Sequence, residues 1–340
     1  MNKKKTGIQF GWVALLLLAT VWIIVRHQQA PGRYQTAQGL IFGTLYQITY
    51  QHRDDLKPAI DAELKRIDGS LSTFNDTSVI SRINRNEPVI PDTLFLRVFR
   101  RSMEISRQTE GAFDITVAPL VNAWGFGFKH GAFPDSVTID SLLQLTGYTK
   151  VQLGSNNRIV KQDPRIMLDC SAIAKGYAVD LIAELLGKKG CNNYMVDIGG
   201  EVVAHGLNPK SGYWRIGISK PVEDSLARNQ ELQATLTVND AAIATSGNYR
   251  NYYYKDGKKY AHTVDPRTGY PAQKDILSAT VVARDCMTAD AIATACMVMG
   301  TGQARRWLRQ HPEIDAYFIF TNANGENETF CTDRLKKILK

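Results

Sequence analysis

Strand-like runs punctuate this chain at hairpin-sized intervals, and that pattern points to antiparallel sheet. They fall at Leu45–Tyr50, Val151–Leu153, Ile166–Leu168, Tyr194–Ile198, Tyr213–Ile218, Leu232–Val238, Asn251–Tyr254, Ser278–Ala283 and Tyr317–Phe320. Helical stripes are fewer. Ile60, Leu64, Ile67 and Leu71 recur at spacings of four, three and four, the apolar face of a helix. Phe95, Val98, Phe99 and Met103 predict a second helix, with Asp92 placed to cap it. Further helices are expected over 171–186, 288–299 and 301–310. Strands outnumber helices, so the expected class is α+β: one domain with a largely antiparallel sheet and helices packed on it. With 340 residues, 44% apolar and only 22% charged, the chain can bury a sizeable core, which excludes a disordered class.

The N-terminus is different in kind. Lys3, Lys4 and Lys5 precede an apolar run from Ile8 to Val25, interrupted only by Gln9 and Thr20. Eighteen helical residues span roughly 27 Å, close to the thickness of a hydrocarbon core. The lysines should stay in the cytoplasm and place the body on the far side of the membrane. No convincing small-x-small cleavage site follows, so an uncleaved signal anchor is expected over a cleaved signal peptide. Residues 1–33 thus read as anchor and tether, and 34–340 as the folded domain.

The formal net charge of +8 shrinks on inspection. Residues 1–33 carry five basic and no acidic residues, leaving 36 basic against 33 acidic in the body. Such a balance gives no case for nucleic-acid binding. The five cysteines, Cys170, Cys191, Cys286, Cys296 and Cys331, form no CxxC pair. A disulfide framework and a structural zinc site are both disfavoured, and buried small side chains are the expectation.

Four segments could carry chemistry. In Leu168-Asp169-Cys170-Ser171-Ala172-Ile173-Ala174-Lys175-Gly176 a buried strand should end at Asp169 and a helix begin near Ser171. Free amides of a first turn attract anions, and Lys175 would add a cation. Read alone, the same residues serve equally as a helix cap and a solvated lysine. In Thr288-Ala289-Asp290-Ala291-Ile292-Ala293-Thr294, Thr288 is expected as N-cap, with Asp290 in the first turn. Asp290 and Thr294, four apart among alanines, would offer oxygen ligands to a hard cation such as Mg²⁺, or Asp290 would simply favour the helix dipole. His262 opens a turn-forming segment, HTVDPRTGYP, and could act as a base near neutral pH or as a structural histidine. Gly111-Ala112-Phe113-Asp114 and Trp124-Gly125-Phe126-Gly127 could line a slot for a planar ring, with Asp114 on its edge, or could be ordinary core and turn. No GxGxxG and no P-loop motif occurs.

In this order the segments resemble the ApbE family of FAD:protein FMN transferases, over about Gly39 to Gly300. The motifs that carry the resemblance are Gly43-Thr44, Ser72-Thr73-Phe74, Ser78-x-x-Ser81-x-x-Asn84, GAFDITVAPLVNAWGFG at 111–127 and IAKGYAVD at 173–180. VDIGGEV at 196–202, ATSGNYRNYY at 244–253, HTVDPRTGYP at 262–271 and ADAIATA at 289–295 complete the set. The resemblance implies a T-fold-like domain of this family. It implies flavin contacts at Phe42, Phe74 and the triplet Ala112, Phe113 and Asp114, and FAD contacts at Asp169, Lys175 and Val264 beside His262. It implies Mg²⁺ on the Ala172 carbonyl and the Asp290 and Thr294 side chains. Cys170-Ser171 departs from the family's more frequent Leu-Gly pair, and Ala293 stands where some members carry a second acid. The family's usual lipid-bearing cysteine is missing.

The expected activity is Mg²⁺-dependent cleavage of the FAD pyrophosphate. FMN would pass to a Thr or Ser hydroxyl of an acceptor protein, an exported or membrane redox subunit, with release of AMP. His262 is the expected base and Asp290 the metal ligand of the catalytic centre. Two rivals use the same residues: an FAD pyrophosphatase with water as acceptor, and a non-catalytic exported flavin-binding protein.

Overall fold

The computed structural model describes Thr20 and residues 32–127, 133–221, 231–248, 252–255 and 258–340. But for Thr20, the apolar run Ile8–Val25 lies outside the described residues. Among these, no helix is long and apolar enough to cross a membrane.

Arg33–Ile41 (β1) and Thr44–His52 (β2) form a hairpin. Helices Lys57–Leu71 (α1), Val79–Asn84 (α2), Thr93–Gln108 (α3), Ala118–Ala123 (α4) and Ser136–Leu143 (α5) follow. Two short strands, Val151–Leu153 (β3) and Ile159–Lys161 (β4), lead to Ala174–Lys188 (α6). Then come Tyr194–Ile198 (β5), Glu201–His205 (β6), Trp214–Ser219 (β7), Leu232–Val238 (β8), Asp240–Gly247 (β9), Tyr252–Lys255 (β10) and Lys258–Ala261 (β11). Ile276–Ala283 (β12), Cys286–Gln310 (α7), Asp315–Thr321 (β13), Asn327–Cys331 (β14) and Asp333–Lys336 (α8) close the chain. Eight strands make one sheet in the order β1-β2-β5-β6-β9-β12-β13-β14, and every neighbouring pair is antiparallel. The α+β class with an antiparallel sheet is therefore correct.

The sheet separates two cores. Strand side chains alternate between its faces: Ala316 and Phe318 join the main core with Ile48, Val196, Ile198, Val281 and the buried sides of α1, α6 and α7. Tyr317 and Ile319 turn the other way, against Trp214, Ile218, Leu236 and Val238 of the β7–β8 hairpin. The stripe Ile60, Leu64, Ile67 and Leu71 is buried as expected, and the Asp92 side chain accepts the Phe95 amide as the cap of α3.

Four local expectations need correction. Ile166–Leu168 is not a strand. Its buried backbone is paired by a side chain instead: Asn84 Nδ2 donates to the Leu168 carbonyl at 2.9 Å, and the Leu168 amide donates to Asn84 Oδ1 at 2.7 Å. The helix expected from Ser171 starts at Ala174, after a turn. The N-cap of α7 is Asp285, not Thr288: the Asp285 carboxylate accepts both the Thr288 amide and its hydroxyl. Asp290 consequently sits in the second turn. The helices expected over 288–299 and 301–310 are the two halves of α7, broken at Gly300 (φ 75°, ψ 166°). Of the cysteines, four are buried, Cys331 is half-buried, and none is bridged.

Candidate active site at the crossing of α6 and α7

A glycine-dependent approach brings the site together: α6 meets α7 at Gly176, where a Cβ would stand 2.2 Å from the Cys286 carbonyl oxygen and 2.8 Å from Asp290 Cβ. No side chain fits there. One turn further along α6, Asp180 receives the Cys286 amide at 2.8 Å and the Met287 amide at 2.9 Å. It thus closes the open N-terminus of α7 from the neighbouring helix. Burial pushes the Asp180 carboxyl up to about 7, against the pull of those two amides.

The close approach redirects one hydrogen bond. A continuing helix would send the Gly176 amide to the carbonyl of Ala172. It donates instead to Asp290 Oδ2 at 3.0 Å. Among the described residues, the Ala172 carbonyl then accepts no backbone hydrogen bond. Asp290 is 3% exposed, and burial raises its carboxyl above the usual range. Thr294 lies one turn on, with Oγ1 3.1 Å from Ser246 Oγ of β9. No group of three His, Cys, Asp or Glu side chains converges among the described residues. A cation here would rest on one carboxylate, a hydroxyl and a carbonyl. These are hard oxygen donors of the kind Mg²⁺ accepts, with phosphate oxygens completing its shell. A buried carboxylate with a single hydrogen-bond donor and a carbonyl left by its helix fit such an ion.

Lys175 stands beside them. Its Nζ lies 2.6 Å from Glu201 Oε2. Glu201 begins β6, directly after the turn Gly199-Gly200, whose φ angles of 67° and 100° favour glycine. Burial works against the Lys175 ammonium, but Glu201 and Asp290 outweigh it and raise its pKa. Burial likewise pushes the Glu201 carboxyl upward, while the Lys175 ammonium, 2.6 Å away, pulls it down and favours the ionised pair. The turn before α6 offers less to an anion than its sequence promised. The Ser171 amide goes to Asp169, the Ile173 and Ala174 amides to the Cys170 carbonyl, and the Gly176 amide to Asp290. Among the described residues the Ala172 and Lys175 amides keep no backbone acceptor, so anion attraction here would rest on these two amides together with the Lys175 ammonium. Asp169 also accepts the Ser171 hydroxyl at 2.5 Å, and burial raises its carboxyl.

The His262 segment joins through the end of β9. Thr263 Oγ1 donates to Asn248 Oδ1 at 2.9 Å, two residues beyond Ser246. His262 is half-buried, its ring edge-on to Phe126 with centroids 6.4 Å apart. Val264 is buried in a small cluster with Leu120, Trp124 and Ile139, and pairs with Pro271 across the turn. That turn is braced by Arg267, whose Nε donates to Asp265 at 2.9 Å.

The other aromatic candidates divide. Trp124 does not line an open slot: it stacks on Tyr260 at 5.4 Å and packs against Tyr270 at 5.8 Å, while its Nε1 donates to the Gly269 carbonyl. Ala112 and Phe113 are buried in the main core. Asp114 is turned inward, accepting the Thr116 amide and hydroxyl at 2.8 and 2.6 Å and the Tyr148 amide at 2.7 Å; burial still raises its carboxyl. Phe42 is unusual. With Gly43 it forms the two-residue turn of the β1–β2 hairpin, at φ 53°. A bulky side chain in that region is strained, and a hairpin by itself would prefer Asn or Gly there. Phe74 is 69% exposed in the turn after α1.

The model of the ApbE family matches residues 42–318, from the hairpin turn into β13. This chain belongs to the ApbE family. Among its relatives, a protein of Vibrio cholerae serotype O1 named FAD:protein FMN transferase is 38% identical over 84% of this chain and 87% of its own length. A protein of the same name from Escherichia coli K12 is 31% identical over 98% of both. The solved flavin transferase ApbE of V. cholerae superposes with a TM-score of 0.81 at 34% identity, covering 90% of this chain and 99% of the other. The apo form of the Pseudomonas stutzeri flavinyl transferase ApbE gives 0.78 at 28% identity, over 91% and 98%.

Sequence reasoning gave Glu201, Ser246, Asp180 and Gly176 no role, although each lies inside a motif of the family resemblance. The available signal was an acid closing a strand–Gly-Gly turn and a glycine beside Lys175.

Proposed function

We propose that this chain is an FAD:protein FMN transferase: it moves FMN from FAD to a Thr or Ser hydroxyl of an acceptor protein and releases AMP. The observation that carries the reading is the redirected Gly176 amide. It leaves a backbone carbonyl beside a buried, underprotected carboxylate, next to a lysine ammonium. That is an arrangement for a hard cation and a phosphate together.

In the proposed reaction the acceptor oxygen bonds to the phosphorus of the FMN half, and the bond from that phosphorus to the AMP oxygen breaks. Mg²⁺ held by Asp290, Thr294 and the Ala172 carbonyl would offset charge building on the phosphoryl oxygens. Lys175 binds a pyrophosphate oxygen. His262 takes the proton of the acceptor hydroxyl. Phe42 and Phe74 contact the isoalloxazine ring, and Val264 contacts FAD beside His262. The apolar run Ile8–Val25 behind Lys3–Lys5 supports reading the N-terminus as an anchor with the body outside the cytoplasmic membrane, acting on exported or membrane redox subunits.

Measuring AMP release from FAD and Mg²⁺ with and without acceptor protein tests this reading. The transferase requires AMP to appear with acceptor and to match modified hydroxyls. Equal AMP without acceptor would make the chain a pyrophosphatase, and binding without AMP would make it a flavin-binding protein.

A further inference from the structure

We infer that Glu201 is a positioning residue, which holds the Lys175 ammonium at the place where it meets the dinucleotide phosphates. The inference rests on the reading of Lys175 as an FAD contact.

The ion pair is asymmetric. Its side chains are 30% exposed for Lys175 and 2% for Glu201. The acid is buried and the lysine side chain is partly exposed. A lysine ammonium has three donors, and among the described residues Glu201 is the only hydrogen-bond acceptor for Lys175. Donors therefore remain for an oxyanion. The acid costs the fold something. Glu201 lies opposite Ile198 in the β5–β6 register, and Ile198 faces the main core. An apolar residue there would avoid desolvating a carboxylate, and buried ion pairs are weak sources of stability. What Glu201 does supply is direction. A lysine has a long, rotamer-rich stem, and the carboxylate selects one end-point for it. The end-point is fixed to the rest of the site. Lys175 adjoins Gly176, whose amide is held by Asp290. Glu201 follows Gly199, whose amide donates to the Leu45 carbonyl.

The test is equilibrium FAD binding, by quenching of flavin fluorescence, to the full chain with Mg²⁺ and without acceptor. The variants are Glu201→Gln, Glu201→Asp, Lys175→Met and the double Glu201→Gln/Lys175→Met. Second-layer partners of this kind typically contribute about 10- to 100-fold. Glu201→Gln should weaken FAD binding by that order, Lys175→Met at least as much, and the double variant no more than Lys175→Met alone. Glu201→Asp, which keeps the charge, should bind FAD more tightly than Glu201→Gln. Wild-type affinity in Glu201→Gln would overturn the inference, and so would a loss that adds in full to that of Lys175→Met. Wild-type affinity in Lys175→Met would instead remove Lys175 from the FAD site, and the inference with it.

Discussion

Asp290 holds the amide of Gly176 at 3.0 Å, and in doing so it takes from Ala172 the hydrogen bond a regular helix would provide. One contact therefore does three things: it pins the crossing of α6 and α7, orients a carboxylate, and releases a carbonyl. The crossing tolerates no side chain on α6 at that point.

Gly176→Ala should accordingly destabilise the domain. Overpacking a tight contact costs about 1–3 kcal/mol, and here the obstructing atom at 2.2 Å is backbone, which cannot rotate away. Urea unfolding of the variant should show a lower midpoint. An unchanged midpoint would mean that the helices do not approach as closely as described.

Asp290→Asn separates charge from structure. The amide oxygen can still accept the Gly176 N–H, so the fold should persist. The single carboxylate of the proposed cation site is lost, and Mg²⁺-dependent transfer should fall by about 100-fold or more. Circular dichroism checks the fold and AMP release checks the activity. Full activity at ordinary Mg²⁺ would place the cation elsewhere.

Asp180 predicts a pH dependence of stability. Its folded pKa, about 7, lies above the ordinary carboxylate value of 3.8. Between those values the folded state binds more protons than the unfolded one, so the contribution of Asp180 to stability falls as pH rises. Asp180→Asn does not titrate. The stability of the wild type relative to this variant should therefore decline from about pH 4 to pH 7 and level off above about pH 8. A difference that stays flat, or rises, over that range would contradict the burial described for Asp180.

The fold was legible where patterns are local. The stripe on α1 and the cap of α3 needed only neighbours in sequence. Arg33–Ile41 gave no sign of being a strand, because as an edge strand it buries only Ala37. Ile166–Leu168 reads as a strand because it is buried and apolar, yet its partner is the Asn84 side chain. Thr288 and Asp285 are both competent caps, and the choice falls to Asp285 because Asp180 reaches across to α7 just there. In the site, the spacing of Asp290 and Thr294 could be read along one helix. Glu201 could not, since its partner Lys175 lies on another element and neither residue is unusual alone. Asp114, read in sequence as a contact for the edge of a planar ring, accepts hydrogen bonds from Thr116 and Tyr148 that only the fold reveals.

His262→Ala should slow FMN transfer by about 10²- to 10⁴-fold, the usual contribution of a general base. FAD affinity should change far less. Parallel measurement of transfer rate and flavin quenching checks the split. A rate equal to wild type would remove His262 from the chemistry.

The central claim is that the FAD pyrophosphate breaks and its FMN half stays on a protein. Intact-mass analysis of an acceptor protein, after incubation with the full chain, FAD and Mg²⁺, tests it most directly. The account predicts a gain equal to FMN less water on one Thr or Ser, with an equal amount of AMP in solution. A gain equal to whole FAD, or AMP formed while the acceptor mass stays unchanged, would contradict it.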